Sequence, residues 1–215
     1  FRADYASSVS HIDDVSADRV RVEDLVGYTG HEPFQVPRLS LYNFDASMTK
    51  NMMATQTRKM IRRVTMCYSL MGIKEKLRYE AFSPQNLSSP NAVGRYFCET
   101  REGVGNYRLM LKCHDNLDLE ATRLLLAIKA FKQDNQTLPQ SLAELVPEYI
   151  DKLPADPFDG QPIRYSAERK RVYSVGKDLI DSGGSEKIGS SYYGGDIKTL
   201  RRHLRVEDIV YRIEF

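Results

Sequence analysis

Between positions 43 and 82 the apolar residues recur at intervals of three and four, which is the spacing of an amphipathic helix. Asn43 or Asp45 stands ahead of this pattern as a candidate N-cap. The apolar face is formed by Met53, Met60, Ile61, Val64, Cys67, Tyr68 and Met71. Lysines and arginines occupy the opposite face, and no aromatic residue lies among them to stack on nucleic-acid bases. We therefore predict one long helix with a solvated basic face.

A second helical pattern runs from about Asp118 to Asp134 and is apolar on most of its circumference. Its central stripe consists of Leu117, Ala121, Leu124, Ile128 and Phe131. A helix of this kind has to be covered on two sides, so we expect it to form the centre of the core. Ser141 and Glu144 then have the spacing of a capping box, which predicts a short helix that Pro147 ends.

Three short segments near the end of the chain alternate apolar and polar residues, at positions 163–165, 171–175 and 208–213. This alternation predicts strands, and the exposed turn between the first two predicts antiparallel pairing. A small antiparallel sheet packed on a helix is an α+β arrangement. The predicted fold class is therefore α+β, with a helical N-terminal half packed on a unit made of one helix and a small antiparallel sheet.

The remaining segments carry weaker patterns. Residues 1–40 are polar and interrupted by glycine and proline, and only 17–26 indicates a helical turn or two. Residues 94–113 predict a β-hairpin, because strand-forming residues flank a glycine-rich turn. If the turn is Gly105-Asn106, Cys98 and Cys113 lie opposite each other at about 5.5 Å between α-carbons, within disulfide range. The alternative is two unrelated buried thiols.

Composition narrows the classes of protein. The chain has 215 residues, 41% of them hydrophobic and 28% charged, which suits one large or two small globular domains. Its 31 basic and 29 acidic residues leave a net charge of +2, which indicates neither a nucleic-acid partner nor an anionic membrane. No run approaches the roughly 18 apolar residues of a membrane span. The sequence begins at Phe1 without a signal-peptide pattern, so we interpret it as a fragment whose anchor or signal is missing; a trimmed cytosolic protein is the alternative.

Four short motifs follow one another after Asn116. They read Leu138-Pro139, Leu145-Val146-Pro147-Glu148-Tyr149, Leu153-Pro154-Ala155-Asp156-Pro157-Phe158-Asp159-Gly160 and Tyr173-Ser174-Val175-Gly176-Lys177-Asp178. In this order and spacing they resemble the globular end of the major (G-type) pseudopilin of type II secretion. Gly195-Asp196-Ile197 resembles the closing Asp-Ile of that family. The chain departs from the family in the long segment that precedes the motifs, in the spacing from Gly184 to Asp196, and in Leu179, where the family has glycine.

We predict a mainly helical region at 1–115, with the hairpin near 94–113, and a pseudopilin-like α+β unit at 116–215, and the apolar helix at 118–134 indicates that the two fold together. The resemblance also implies a calcium ion, because the family holds one in the loop after its last matching strand. The matching positions are Asp178 and Asp196, with Asp181 and Ser182 as further ligands. Calcium takes six to eight oxygen ligands, which carboxylates spread over a loop can supply. The alternative is a solvated acidic loop whose aspartates serve turns.

Catalysis has little support in the sequence. The four histidines, His11, His31, His114 and His203, follow no ligand spacing. Asp156 and Asp159 could form a carboxylate pair, but both lie in a turn that the fold requires. We therefore expect a non-enzymatic structural or interaction module of the bacterial cell envelope, periplasmic or extracellular and anchored to the membrane in the full-length protein. Its partners would be proteins of the envelope or the secretion machinery, without nucleic acid. The alternative is an extracytoplasmic ligand-binding or hydrolase-like protein with a site between the two halves.

Overall fold

The computed structural model describes residues 1–21, 43–73, 88, 90–186 and 208–215. These contain three α-helices, α1 (Arg2–Ser16), α2 (Ala46–Arg63) and α3 (Ala92–Asn135). They also contain an antiparallel sheet in the order β1-β2-β3, formed by β1 (Arg164–Ser166), β2 (Arg171–Ser174) and β3 (Ile209–Arg212). The predicted α+β fold class is confirmed.

The chain divides into two compact units. The first comprises Phe1–Thr65 and Ile73–Leu109, and the second comprises Met66–Gly72 and Met110–Phe215. Helix α3 therefore contributes its first part to one unit and its second part to the other. The predicted regions 1–115 and 116–215, and their folding together, stay predictions.

Helix α1 lies in the segment that the sequence analysis described as polar and irregular. That expectation is wrong for residues 2–16, and residues 17–21 are not helical, whereas 22–26 lie outside the described residues. The helix buries Ser8, Ile12 and Val15, at helical spacing but with only two large apolar side chains. A stripe this narrow gives a weak hydrophobic pattern, so tertiary packing rather than local preference stabilises the helix.

Helix α2 begins where the sequence predicts and ends much earlier. The Asp45 carboxylate accepts a hydrogen bond of 2.7 Å from the Met48 N–H, as an N-cap should. The helix ends at Arg63, and the backbone is extended at Cys67. The N–H groups of Tyr68 and Ser69 then donate to the carbonyls of residues 157 and 158, at 2.9 and 2.8 Å. These bonds satisfy donors that a helix would use, so the prediction is wrong for 64–73, and 74–82 lie outside the described residues.

Helix α3 replaces the predicted hairpin at 94–113, and that prediction is wrong. The residues that indicated a turn, Gly103, Gly105 and Asn106, lie inside the helix. Buried residues recur there at steps of four or eight positions, at Val93, Phe97, Gly105, Leu109, Cys113 and Leu117. At Gly105 a β-carbon would lie 3.2 Å from the Met60 side chain, so the glycine allows close packing of α2 rather than a turn.

The predicted disulfide between Cys98 and Cys113 is also wrong. Both residues lie on α3, about four turns and roughly 22 Å apart, whereas a disulfide needs α-carbons within about 7 Å. All three cysteines are free thiols, and Cys98 and Cys113 are buried. Burial raises the pKa of Cys98 to about 12 and that of Cys113 to about 11. The second alternative, buried thiols that act as small apolar side chains, is the one the structure supports.

The core of the first unit joins α1, α2 and the start of α3. Its buried members are Ile12, Val15, Met53, Phe97 and Cys98. Beside it lies a buried polar contact, in which the Asn91 side-chain amide donates to Thr49 Oγ1 at 3.0 Å and Thr49 Oγ1 donates to the Asp45 carbonyl at 2.6 Å. This contact fixes the start of α2 against the start of α3.

The second unit has the layout that the sequence predicts. The apolar stripe of α3 is buried at Leu117, Ala121, Leu124 and Ile128, and the helix ends at Asn135. The short helix is a single 3-10 turn, Leu142–Leu145, and Glu144 accepts the Ser141 N–H at 2.9 Å in the predicted capping box. Tyr165 pairs with Val172, and Val172 pairs with Tyr211 in the antiparallel sheet.

No helix in the described ranges combines the length and the apolar character that crossing a membrane requires, and α3, the longest, is too polar.

Two glycines of α3 provide a matched test of the contact between α2 and α3. In Gly94→Ala the new β-carbon would lie 1.9 Å from Thr49 Oγ1 and 2.4 Å from the Asn91 side chain, so buried groups must move. We expect a loss of about 1–3 kcal/mol in the free energy of unfolding, despite the better helix propensity of alanine. Chemical denaturation followed by circular dichroism measures this loss.

Gly103→Ala is the control, because Gly103 is an exposed position of the same helix with nothing within 4 Å of the new β-carbon. Propensity alone then predicts a gain of about 0.5–1 kcal/mol. Equal effects of the two substitutions would contradict the packing described for Gly94.

Candidate functional site

Asp156 lies at the centre of the proline-rich loop at 153–162. Its backbone N–H donates to the Gln161 carbonyl at 2.6 Å, and its carbonyl accepts the Gly160 N–H at 2.8 Å. One carboxylate oxygen accepts the Phe158 N–H at 2.9 Å. Gly160 has a φ of +80°, which favours glycine. The loop therefore turns tightly around a carboxylate that is 0% exposed.

The same carboxylate joins this loop to the end of β2. Ser174 Oγ donates to Asp156 Oδ1 at 2.8 Å, and the Val175 N–H donates to Oδ2 at 3.2 Å. The Gly176 N–H donates to Ser174 Oγ at 3.1 Å. Burial raises the pKa of Asp156, although the hydrogen bonds from Phe158, Ser174 and Val175 act in the opposite direction. Two of the motifs singled out in the sequence therefore meet at one buried side chain.

Arg164, on β1, neutralises the carboxylates around it. Its Nη1 lies 3.0 Å from Asp156 Oδ2, its Nη2 donates to Asp159 Oδ2, and its Nε lies 3.6 Å from Asp181 Oδ2. Hydrogen bonding to Asp159 raises the pKa of Arg164. Burial by itself would raise the pKa of Asp159, but the bonds from Arg164 and from the Gln161 N–H outweigh it, so the net shift is downward. One guanidinium thus faces three carboxylates.

A second buried carboxylate, Asp208, holds the loop at 178–186. It is 0% exposed and accepts the N–H groups of Ser182, Gly184 and Ser185, at 3.1, 2.7 and 3.0 Å. The Asp208 N–H donates in return to the Ser185 carbonyl at 3.1 Å. Burial raises the pKa of Asp208, and the three N–H bonds oppose that shift. The inner side of the loop therefore consists of donors directed at an anion.

Two further arginines bind the carbonyl oxygens of this loop. Arg169 Nη1 donates to the Gly183 carbonyl at 2.7 Å, and Arg171 Nη1 donates to the Gly184 carbonyl at 2.6 Å. Gly184 has a φ of +77°, and a β-carbon there would lie 2.8 Å from Arg171 Cδ. Glycine is needed at this point both for the backbone conformation and for the close approach of the arginine.

The predicted calcium ligands are only partly assembled in the described structure. One oxygen of Asp178 accepts the Ile180 N–H at 3.1 Å, and one of Asp181 accepts the Gly183 N–H at 2.9 Å, so both serve local turns. Ser182 lies in the same loop, with its N–H on Asp208. Asp196 lies outside the described residues. Within the described part of the chain, no three histidine, cysteine or acidic residues form a group that could hold a metal.

These residues do not fit a calcium ion well. The N–H groups that point into the loop are donors and cannot bind a cation, and the second oxygen of Asp181 faces Arg164. Calcium would need six to eight oxygens that are not already bound by guanidinium groups. Calcium binding therefore stays a prediction, to be decided by measurement.

The network offers little for catalysis. Asp156 and Asp159 share Arg164, and Asp156 has no exposed surface to meet a substrate. His114 is buried and packs edge-on against the Phe158 ring, with 5.0 Å between ring centroids. The interpretation of Asp156 and Asp159 as residues that shape a turn agrees with these contacts.

Sequence reasoning missed Arg164 and Asp208, which organise the network. Arg164 stood out only as a polar position in an alternating strand. Asp208 bonds residues that precede it by more than twenty positions, and no local pattern connects positions so distant. Ser174 carried a usable signal, because a serine hydroxyl two residues before a glycine often accepts a hydrogen bond from the glycine N–H, as Ser174 does from Gly176.

The first unit contains a separate cleft of about 240 Å³. Its walls combine apolar and charged side chains, including Met53, Met60, Arg101, Glu102 and Arg108. The charges are already paired: Arg108 with Asp4, and Glu102 with Lys59. Arg101 donates to the Asp4 carbonyl at 3.1 Å and lies over the Phe97 ring. Burial lowers the pKa of Arg101.

Comparison of the chain with protein-family models, with curated proteins and with solved structures found no match.

The stability of the second unit should depend strongly on the two acceptor oxygens of Asp156. In Asp156→Asn an amide N–H₂ would face donors, because both carboxylate oxygens accept hydrogen bonds. It would also leave Arg164 with one partner fewer. We expect a loss of about 3 kcal/mol or more in the free energy of unfolding, measured by chemical denaturation. Asp151→Asn, at an exposed position, should change it by less than about 0.5 kcal/mol; similar losses in both variants would contradict this network.

Asp159 should contribute stability that is lost in acid. Its folded-state pKa is lowered, so its contribution is present above the unfolded value of about 3.9 and disappears as the pH falls through the folded value. The difference in unfolding free energy between the native chain and Asp159→Asn should be constant from about pH 7 to 5 and then shrink. Asp208 is present in both proteins, so its titration largely cancels; the Asp159 charge also raises the pKa of Asp156, but by less than burial does. A difference that grows in acid would contradict this assignment.

Proposed function

We propose that the chain is a non-enzymatic structural or interaction module of the bacterial cell envelope, similar to the pseudopilins of type II secretion. The observation that carries the proposal is the contact of Asp156 with Ser174 and Val175. This contact joins the third and fourth motifs of the resemblance, so their co-occurrence has a structural reason. Asp156 and Asp159, which a catalytic hypothesis would select, instead form hydrogen bonds and ion pairs that stabilise the fold.

Backbone geometry adds support for the resemblance. Gly176, the glycine of the Ser-x-Gly part of the motif, has a φ of +66°. Leu179 stands where the family has glycine and has a φ of +62°, a conformation that glycine adopts without strain and that leucine rarely adopts. The chain thus keeps a glycine-like backbone at a position where the residue itself has changed.

The surface of the second unit supports a role in protein contacts. Leu119 and Leu126 are 53% and 63% exposed, and their spacing of seven residues places them on one side of α3. Leu70 and Ile180 are more than half exposed as well. Isolated exposed apolar residues are ordinary, but two large ones on one helix face provide a specific position at which to search for a partner.

Ligand binding is the second candidate, and the cleft in the first unit favours it. The cleft is lined by apolar side chains such as Met53 and Met60 together with polar groups, as small-molecule sites are. Its charged groups already have partners within the protein, which argues against an ion-binding site in this cleft. We therefore place this candidate after the structural one.

The envelope proposal predicts where the protein is found and what it touches. In the bacterium that encodes it, an epitope-tagged full-length protein should resist protease in intact cells and be degraded in spheroplasts. A photoreactive residue placed at Leu126 should crosslink to envelope proteins, because that side chain is exposed and apolar.

The matched position is Glu168, exposed in the polar turn between β1 and β2, where crosslinks should be much weaker. A cytoplasmic protein followed in the same samples reports lysis. Degradation that begins only when the cytoplasmic marker is also degraded would overturn the envelope proposal.

A further inference from the structure

Three oxygen atoms of the loop at 178–186 face arginine side chains. The carbonyls of Gly183 and Gly184 accept hydrogen bonds from Arg169 and Arg171, at 2.7 and 2.6 Å. The outer oxygen of Asp181 lies 3.6 Å from Arg164. Carbonyl and carboxylate oxygens are the ligands that a hard divalent cation would need. In this loop, guanidinium groups lie where such a cation would bind these oxygens.

All three arginines come from one short stretch of chain. Arg164 is the first residue of β1, Arg169 lies in the turn, and Arg171 is the first residue of β2. The turn is tight, with the Lys170 N–H on the Ala167 carbonyl at 3.2 Å and a φ of +48° at Lys170. The hairpin therefore places three guanidinium groups on one side of the loop.

The opposite side of the loop is held by a negative charge. Three backbone N–H groups converge on the buried Asp208, which is itself fixed at the start of β3. The loop thus has an anion on its donor side and cations on its acceptor side, both supplied by the chain. A divalent cation entering the acceptor side would have to displace guanidinium groups or tolerate their repulsion.

We propose that the arginines of the β1–β2 hairpin, together with Asp208, hold this loop in place of a divalent cation, so that the second unit keeps its fold without calcium. A module of this kind would be insensitive to chelators and to the calcium concentration around it. The inference concerns contacts within the chain and does not rest on the envelope proposal. A negative result for cellular location would leave it standing, and a calcium effect would leave the location result standing.

The first experiment is thermal unfolding of the native chain in EGTA and in millimolar calcium. A calcium site at a hundredfold excess over its Kd would raise the Tm by about 5–10 °C for a chain of this size. We expect no measurable shift. A rise of that order, removed by Asp178→Asn, would overturn the proposal.

Substitutions of the arginines test directly whether these side chains stabilise the loop. Arg164→Gln and Arg171→Gln should each lower the Tm by several degrees, and by the same amount with and without calcium. Arg123→Gln is the matched control, because Arg123 is 61% exposed and, among the residues that the structure describes, pairs with Glu120 on its own helix. Equal Tm values for the Arg171 and Arg123 variants would overturn the role given to the hairpin.

Hydrogen exchange gives a local measurement that does not depend on how the two units unfold. The amides of Ser182, Gly184 and Ser185 should be protected equally in EGTA and in calcium. In Arg171→Gln they should exchange at least tenfold faster, whereas amides in the middle of α3 should not change. Protection that appears only when calcium is added would overturn the proposal independently of the Tm.

Discussion

The buried carboxylate of Asp156 is the interaction on which the second unit depends. Removing an ionised carboxylate from water is costly unless hydrogen bonds and an opposite charge replace the lost hydration. Asp156 receives them from a loop amide, from the hydroxyl and amide that end β2, and from a guanidinium on β1. Because the donors come from three places, the loop, the end of β2 and β1, the carboxylate is satisfied only when loop and strands are in place together. It therefore makes the local structures interdependent.

Asp208 holds the next loop in the same way, as a buried carboxylate that accepts hydrogen bonds. The first unit is held together differently. Near Asp208 the backbone donors of a loop converge on one buried anion. In the first unit the buried contacts between helices are instead apolar packing of Ile12, Met53 and Phe97 and a neutral polar contact between Thr49 and Asn91, whereas ion pairs such as that of Arg108 with Asp4 lie at the surface. Hydrogen bonds to buried carboxylates therefore hold the loops of the second unit, whereas packing of apolar side chains holds the helices of the first unit.

The sequence predicted the second unit well and the first unit poorly, for identifiable reasons. Prolines, a capping box and alternating strands carry local information, so the features around Ser141, Pro157 and Val172 could be read directly. In the first unit, glycines at 103 and 105 gave the signal of a turn, although Gly105 serves the packing of Met60 on α3. The early end of α2 depends on carbonyls ninety residues away, which no local pattern contains. Arg164 and the buried Asp208 were missed for the same reason.

The arrangement of charges also limits where a function can lie. In the second unit, Asp156, Asp159 and Asp208 are committed to internal partners, and the arginines that face them are committed as well. A reaction at this network would have to break contacts that hold the loops, and its cost would appear as lost stability. A binding partner could cover the exposed leucines of α3 without breaking any of these internal contacts. These exposed leucines are therefore the part of the second unit to which the proposed role in protein contacts points.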